Sequence, residues 1–312
     1  MQSVRQKIFP RTENKSEAAE SVIPSEDSPS LSDRLNTLLK RGLLQKYTLI
    51  KRQGNRQERV VMFDLHPIVR RYAYERIGAA DRTAVHGQLR DYFAAVPAPD
   101  QVTTLDDLAL VIELYHHMVR AGQYDTAFEL LRNRFADTIY YQLGAYQAYG
   151  ELLRSLFPQG ETQLPALNKR AQCWTLTALA NSYSLSGQPA KAVLLSEKRI
   201  KIGEKQDDKK NLAIALGNLA GDQLEIGALQ AAEANLRRQV SLCQEIEDEF
   251  NEAIAHQELG RLLAYRGVWE TAEEELNTGL EQFEQQNHIQ LQGVTWAYRA
   301  LSQVLRVRGG NE

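Results

Sequence analysis

Glu113-x-x-His116, with His117 beside it, sets a carboxylate and an imidazole one helical turn apart. That is half of the ligand set used by carboxylate-bridged di-metal sites. No second pair of this kind occurs, so hydrogen bonding is the expected role of these histidines and no metal is assigned. Cys173 and Cys243 are the only cysteines, without CxxC spacing or a histidine at a suggestive separation, so a zinc site, a disulfide framework and a thiol nucleophile all lack a constellation. No G-x-S-x-G elbow and no G-x-x-x-x-G-K-[ST] phosphate loop is present. Tyr140, Tyr141, Tyr146 and Tyr149 could stack on bases, but at helical spacing they are expected to pack between helices. The acidic run Glu245, Glu247, Asp248 and Glu249 reads as a solvated turn and argues against nucleic acid there. The sequence therefore predicts no catalytic residue, no cofactor and no enzyme.

What recurs instead is chemistry suited to holding another chain. Gly187, Gly227 and Gly267 stand 40 residues apart. Leu179, Leu219 and Leu259 lie eight residues before them, Ala180, Ala220 and Gly260 seven before, and Ala192, Ala232 and Ala272 five after. A glycine that permits a turn, with small residues where helices cross, spells a helix–turn–helix unit in tandem. Weaker copies centre on Gly122, with Leu114, Tyr124 and Ala127, and close the chain, where Leu301 precedes Gly309 by eight. On each first helix, positions thirteen, ten and six before the glycine share a face. They are Trp174, Thr177 and Asn181, then Ile214, Gly217 and Gly221, then Ile254, Gln257 and Arg261, then Trp296, Arg299 and Gln303. Asn218, nine before its glycine, offers both donor and acceptor to a peptide unit of any sequence. Arg261, Arg299 and Arg306 would attract a carboxylate or phosphate, each charge-assisted bond contributing roughly 1.5–3 kcal/mol when desolvated. The candidate groove residues are thus Trp174, Thr177, Asn181, Asn218, Gln257, Arg261, Trp296, Arg299, Gln303 and Arg306, and the expected partner is a protein or peptide segment.

The elements that must carry these residues divide the chain unevenly. Residues 1–30 are polar, with too few apolar side chains to offset ordering entropy, and disorder is expected. Residues 31–78 hold eleven basic and four acidic groups, a basic head on a chain whose net charge is -3. There the pattern is a helix stopped at Gly42, β-prone runs Lys46–Arg52 and Arg59–Leu65 around Gln53-Gly54-Asn55, and a helix opened by Pro67. Residues 79–160 are helical with one weak and one degenerate unit. Thr104-x-x-Asp107 there reads as a capping box. Residues 161–312 carry the tandem repeat. No apolar run approaches the roughly 18 residues a membrane helix needs, and the start lacks a signal-peptide centre, so a cytoplasmic location is expected.

The repeat resembles the tetratricopeptide repeat in a long form, which implies an all-α, right-handed α-α solenoid with first helices lining a groove. By that resemblance Asn218 is the asparagine that holds an extended backbone. A wider resemblance rests on RLNTLLKRGLLQ, FDLHPIVRRYAYERI, LRDYFAAVPAP and LVIELYHHMVRAGQYDTAFELL. These look like the winged-helix and repeat portion of bacterial signal-transducing ATPases with numerous domains. The resemblance implies a partial winged helix over 31–78, a nucleotide-binding domain as partner in cis or in trans, and a nucleotide-sensing place for His66. Without the phosphate loop, His66 is expected to cap the helix at Pro67, and the alternative functions are DNA reading by the basic head, with nucleic acid the less favoured partner, and service as a split or fragment portion of such an ATPase.

Overall fold

The computed structural model describes residues 30–309 apart from 54–55, 97–100 and 206–207. The polar stretch before Ser30, the expected turn at Gly54-Asn55, and Pro97 and Pro99, which the sequence predicts to close a helix, lie outside the described residues. The chain forms two compact units, one built from the residues up to Ala98 with Leu110–Gly122, the other from Pro99–Ala109 and Gln123 onward.

In the first unit, Ser30 caps α1 (Leu31–Lys40) by accepting the Asp33 N–H at 3.2 Å, and Gly42, at φ +68°, turns the chain away. Strands β1 (Leu44–Gln53) and β2 (Arg56–Leu65) pair antiparallel from Leu44 opposite Leu65 to Gln53 opposite Arg56. Helix α2 (Pro67–Arg76) opens at its proline, and His66 Nδ1 accepts the Ile68 N–H at 3.3 Å, the capping role expected of it. Helices α3 (Ala79–Ala94) and α4 (Ala109–Arg120) bury His86 and His117 between them, with Val111, Leu114 and Tyr115 as apolar neighbours on α4. The two imidazoles share a proton between Nδ1 atoms 3.0 Å apart. Tyr74 Oη stands 2.9 Å from His86 Nε2, and Glu113 stands 3.9 Å from His117 Nε2. Only one arrangement satisfies all three contacts: Tyr74 donates to His86, His86 donates to His117, and the remaining N–H of His117 faces the carboxylate.

In the second unit, the Asp107 carboxylate accepts the N–H groups of Thr103 and Thr104 and caps a 3-10 turn at Leu105–Leu108. Helix α5 (Tyr124–Leu130) runs on through wide π-type turns at Leu131–Phe135 and Thr138–Gln142, and α6 (Tyr146–Arg154) follows. Then come three helix pairs: α7 (Lys169–Leu185) with α8 (Pro189–Glu204), α9 (Lys209–Glu225) with α10 (Leu229–Glu245), and α11 (Glu249–Tyr265) with α12 (Trp269–Gln285). A further first helix, α13 (Ile289–Gly309), packs on α11 and α12. The result is an all-α solenoid, and no strand occurs outside the β1–β2 hairpin among the described residues.

The 40-residue period is set at both helix ends. Asn168, Asp208 and Asp248 each accept the backbone N–H three residues on, at 3.1, 3.2 and 3.3 Å, and so start α7, α9 and α11. Gly187, Gly227 and Gly267, at φ +73°, +77° and +75°, make the turns between partners. The three leucines occupy equivalent seams. Leu219 packs with Val193 and Ile200 of the preceding second helix, Leu259 with Ala232 and Leu236 of its own predecessor, and Leu179 approaches Gly150 of α6. Each is 0–4% exposed, so each contributes roughly 1.5–3 kcal/mol of burial that no single pair could supply alone. Partners within a pair approach through small residues. A Cβ on Gly260 would stand 2.6 Å from Leu276 Cγ, and one on Gly279 would stand 2.9 Å from the Ala253 carbonyl. In the previous pair Gly217 makes room for Gln239, whose amide fills the gap from the opposite helix.

The last helix departs from the phase expected from Gly309. Helix starts at Lys169, Lys209, Glu249 and Ile289 keep the period, so Val307 stands where Gly267 does and Arg299 stands where Leu259 does. Because α13 continues as helix through position 307, no turn is made there and no left-handed residue is required.

Candidate functional site

The period picks out one face of the first helices. Positions thirteen, nine, six and two before each turn repeat at steps of four, three and four and lie in line. On α7 they are Trp174, Ala178, Asn181 and Leu185; on α9, Ile214, Asn218, Gly221 and Glu225; on α11, Ile254, Glu258, Arg261 and Tyr265. None is buried, while their neighbours at eight and seven before the turn are. In phase, α13 adds Val294, Tyr298 and Leu301. The band is apolar at one edge (Trp174, Ile214, Ile254), carries Asn181, Asn218, Glu258 and Arg261 in the middle, and ends in Leu185, Glu225 and Tyr265, with Leu185 and Tyr265 52% and 50% exposed. Beside Leu185 an open cleft of about 510 Å³ is lined by Leu105, Tyr146, Gln147 and Ser186.

The candidate groove residues divide by where the structure places them. Trp174, Asn181, Asn218 and Arg261 share the band. The Trp174 ring meets the edge of Phe128 at 5.3 Å. Asn181 hydrogen-bonds Tyr140, whose phenol is held above its ordinary pKa by burial and by neighbouring Tyr141 and Tyr146. Asn218 is exposed, flanked by Gly217 and Gly221. Arg261 is held by Glu258, with Nε 2.9 Å from the carboxylate, and lies over the Tyr298 ring at 5.4 Å. Thr177 and Gln257, ten before the turn, fall at the edge that faces the second helix. Thr177 Oγ1 donates to the Cys173 carbonyl at 3.1 Å, and Gln257, only 4% exposed, accepts the Thr295 hydroxyl at 2.8 Å.

The four residues on α13 stand two positions out of phase with that band. Trp296 and Gln303 are exposed on a different face. Arg299 lies 3.5 Å from Glu273 and over the Trp296 ring, and Arg306 lies 2.9 Å from Glu270, so both guanidinium groups are engaged by α12. Sequence reasoning missed Leu185, Glu258 and Tyr298. The signal was available in the cap residues Asn168, Asp208 and Asp248, which count the phase from the helix start.

No group of three or more metal-ligating side chains occurs among the described residues. Cys243 is buried, and burial with the nearby Asp248 and Glu252 carboxylates pushes its thiol up to about 11, far from a reactive thiolate. The acidic turn is partly neutralised, with Lys209 2.6 Å from Glu245 and Lys210 3.2 Å from Asp248. No described helix is long and apolar enough to cross a membrane. The band offers two amides, one guanidinium, the Glu225 and Glu258 carboxylates and apolar surface.

No family model and no curated protein matches the chain. Solved structures similar to it include BtubC (BKLC) from P. vanneervenii, 15% identical with a TM-score of 0.42, covering 75% of this chain and 91% of that one. Another is a signal transduction ATPase with numerous domains, with a tetratricopeptide repeat sensor, from Pyrococcus horikoshii. It is 14% identical with a TM-score of 0.39, covering 86% of this chain and 48% of that one. A third is the TPR2AB domain of yeast Sti1 in complex with pHSP90, 11% identical with a TM-score of 0.26, covering 72% of this chain and 98% of that one.

Proposed function

We propose that the chain is a non-catalytic interaction scaffold of the cytoplasm that captures an extended peptide or protein segment along the first-helix band. The carrying observation is the in-phase band itself: across α7, α9 and α11 the same four positions stay uncovered while the positions eight and seven before each turn, beside them on the same helices, are buried. Asn218 is exposed one helical turn before Gly221, over which a Cβ would meet nothing within 4 Å, so its amide is open to a ligand's peptide groups, and Asn181 and Arg261 flank it on the neighbouring first helices. Occupancy of such an array changes the contacts between neighbouring pairs, which is how a stimulus would pass along it as a sensor. Selection of a displayed peptide library on the purified chain tests the reading. Ligands enriched by the wild type should bind Asn181→Ala/Asn218→Ala/Arg261→Ala at least tenfold more weakly, with the variant still fully folded by circular dichroism at the assay temperature. Equal binding by the triple variant would place the site elsewhere.

The first unit supplies a second partner to this reading. Helix α2 buries none of its residues yet carries Ile68 and Tyr72, which are 72% and 60% exposed. With the resemblance of 31–78 to a partial winged helix, this favours a nucleotide-binding domain, in the same chain or supplied in trans, over DNA. Binding of such a domain should survive high salt and fail in Ile68→Glu/Tyr72→Glu, whereas DNA bound through phosphates would be lost steeply as salt rises.

A further inference from the structure

We infer that the His86–His117 pair is an acid-released latch, and that protonation of its two rings frees α3 from α4. Among the described residues of α3 only His86 is buried, at 3% exposed, and its partner on α4 is 7% exposed. The helix is therefore seated on α4 by a titratable side chain where an apolar one would ordinarily stand. Phe93, stacked on His117 at 5.4 Å, is the neighbouring contact from α3. Release of α3 would reach α2 as well. Tyr74 of α2 begins the chain of hydrogen bonds, and Arg82 of α3 lies over its ring at 4.8 Å while donating to the Glu75 and Ile77 carbonyls, each at 2.8 Å. Helix α2 buries none of its own residues, so these ties to α3 are what hold its C-terminal end.

The proton count gives the contact two states. One proton lies between the two Nδ1 atoms, 3.0 Å apart, with His86 donating and His117 accepting. A first added proton has room only at His86 Nε2, where the Tyr74 hydroxyl must turn from donor to acceptor. A second has only His117 Nδ1, and N–H would then face N–H. The charged and titratable groups around the pair are Tyr74 on α2, Arg82 on α3, and Glu113, His116 and Arg120 on α4. Of these only Glu113 is acidic, and it stands 3.9 Å from His117 Nε2 with its side chain half exposed, too far and too wet to offset two buried cations. Burial lowers both rings, with Arg120 acting further on His86 and the His86 ring on His117, against the pull of Glu113. Folded values below the unfolded one leave the latch intact above about 6.5 and weaken it as pH falls through them, because the opened rings take up protons that the closed pair refuses.

Hydrogen exchange of the full chain at pH 7.5 and pH 5, corrected for intrinsic rates, tests this together with NMR of the labelled imidazole nitrogens. Exchange of residues 79–94 should rise at least about tenfold in acid, while residues 169–204, which hold no histidine, stay protected. At pH 7.5 both rings should read as neutral, with the proton on Nδ1 of His86 and on Nε2 of His117. Glu113→Gln should enlarge the acid response by lowering the folded value of His117 further. Arg120→Gln should shrink it, because raising the folded values narrows their gap to the unfolded one. His86→Leu/His117→Leu should abolish the response in residues 79–94 with helicity retained at both pH values. An acid response no larger in residues 79–94 than in 169–204, or rings that titrate at their ordinary value, overturns the inference. So does a double-leucine variant as acid-sensitive as the wild type, or two charge variants that move the response in the same direction.

Discussion

Gly260 and Gly221 look alike in the sequence, one on each of two successive first helices, yet space separates them. A Cβ at Gly260 would press on Leu276 and the Ala272 carbonyl, while one at Gly221 would meet nothing within 4 Å. Gly260→Ala should therefore cost about 1–3 kcal/mol in urea unfolding, by overpacking the α11–α12 crossing. Gly221→Ala should be neutral or stabilise by about 0.5–1 kcal/mol through helix propensity. Asp222 gives a charge counterpart. Burial raises its carboxyl to about 6, against a hydrogen bond from Ser184, and Leu262 occupies its place in the next repeat. A folded pKa above the unfolded one means that stability is complete below about 4 and is lost as pH rises through about 6. Asp222→Asn should accordingly gain about 2 kcal/mol at pH 7.5 and nothing at pH 4, read from denaturation midpoints. Residues of this kind were half legible. Leucines and glycines declared themselves by period, but Gln257 looked like a groove amide because the hydroxyl that binds it belongs to Thr295, a repeat away.

Two histidine sites show how helix pairs in different parts of the fold respond oppositely to acid. Burial lowers both His86 and His117 between α3 and α4, helped by the Arg120 charge for His86 and by the His86 ring for His117. His116 on the same helix is lowered as well, by burial and Arg120. The neutral pair is stable above the unfolded value near 6.5, and that stability is lost as pH falls through the folded values. For His256 burial also opposes the charge, but the hydrogen bond and charge of Glu275, 2.5 Å away, and the charge of Glu252 outweigh it and raise the pKa. Its contribution is complete below 6.5 and is lost as pH rises through the folded value. Acidification from pH 7.5 to 5 should thus lower amide protection in residues 79–94 and raise it in residues 249–285, measured by hydrogen exchange corrected for intrinsic rates. At this scale the hairpin, the proline-opened α2 and the tandem pairs were readable from turn and cap chemistry. The helix running from Tyr124 to Gln142 was not, because its wide turns break the 3.6-residue rhythm and its closing Gly144 lies 43 residues before Gly187, off the period.

Across the second unit, stability is carried by repetition: each pair contributes a seam to the next, and no pair has a core of its own. The same repetition leaves one band of the first helices uncovered from α7 to α11, the surface proposed to hold the captured segment. The most direct measurement is site-specific photo-cross-linking to a peptide ligand selected on the wild-type chain. A photoreactive residue at Asn181, Asn218 or Glu258 on the first helices should capture the ligand, and one at Leu194 or Arg237 on the second helices should not. Capture from the second helices, or equal capture from both sets, would contradict the account.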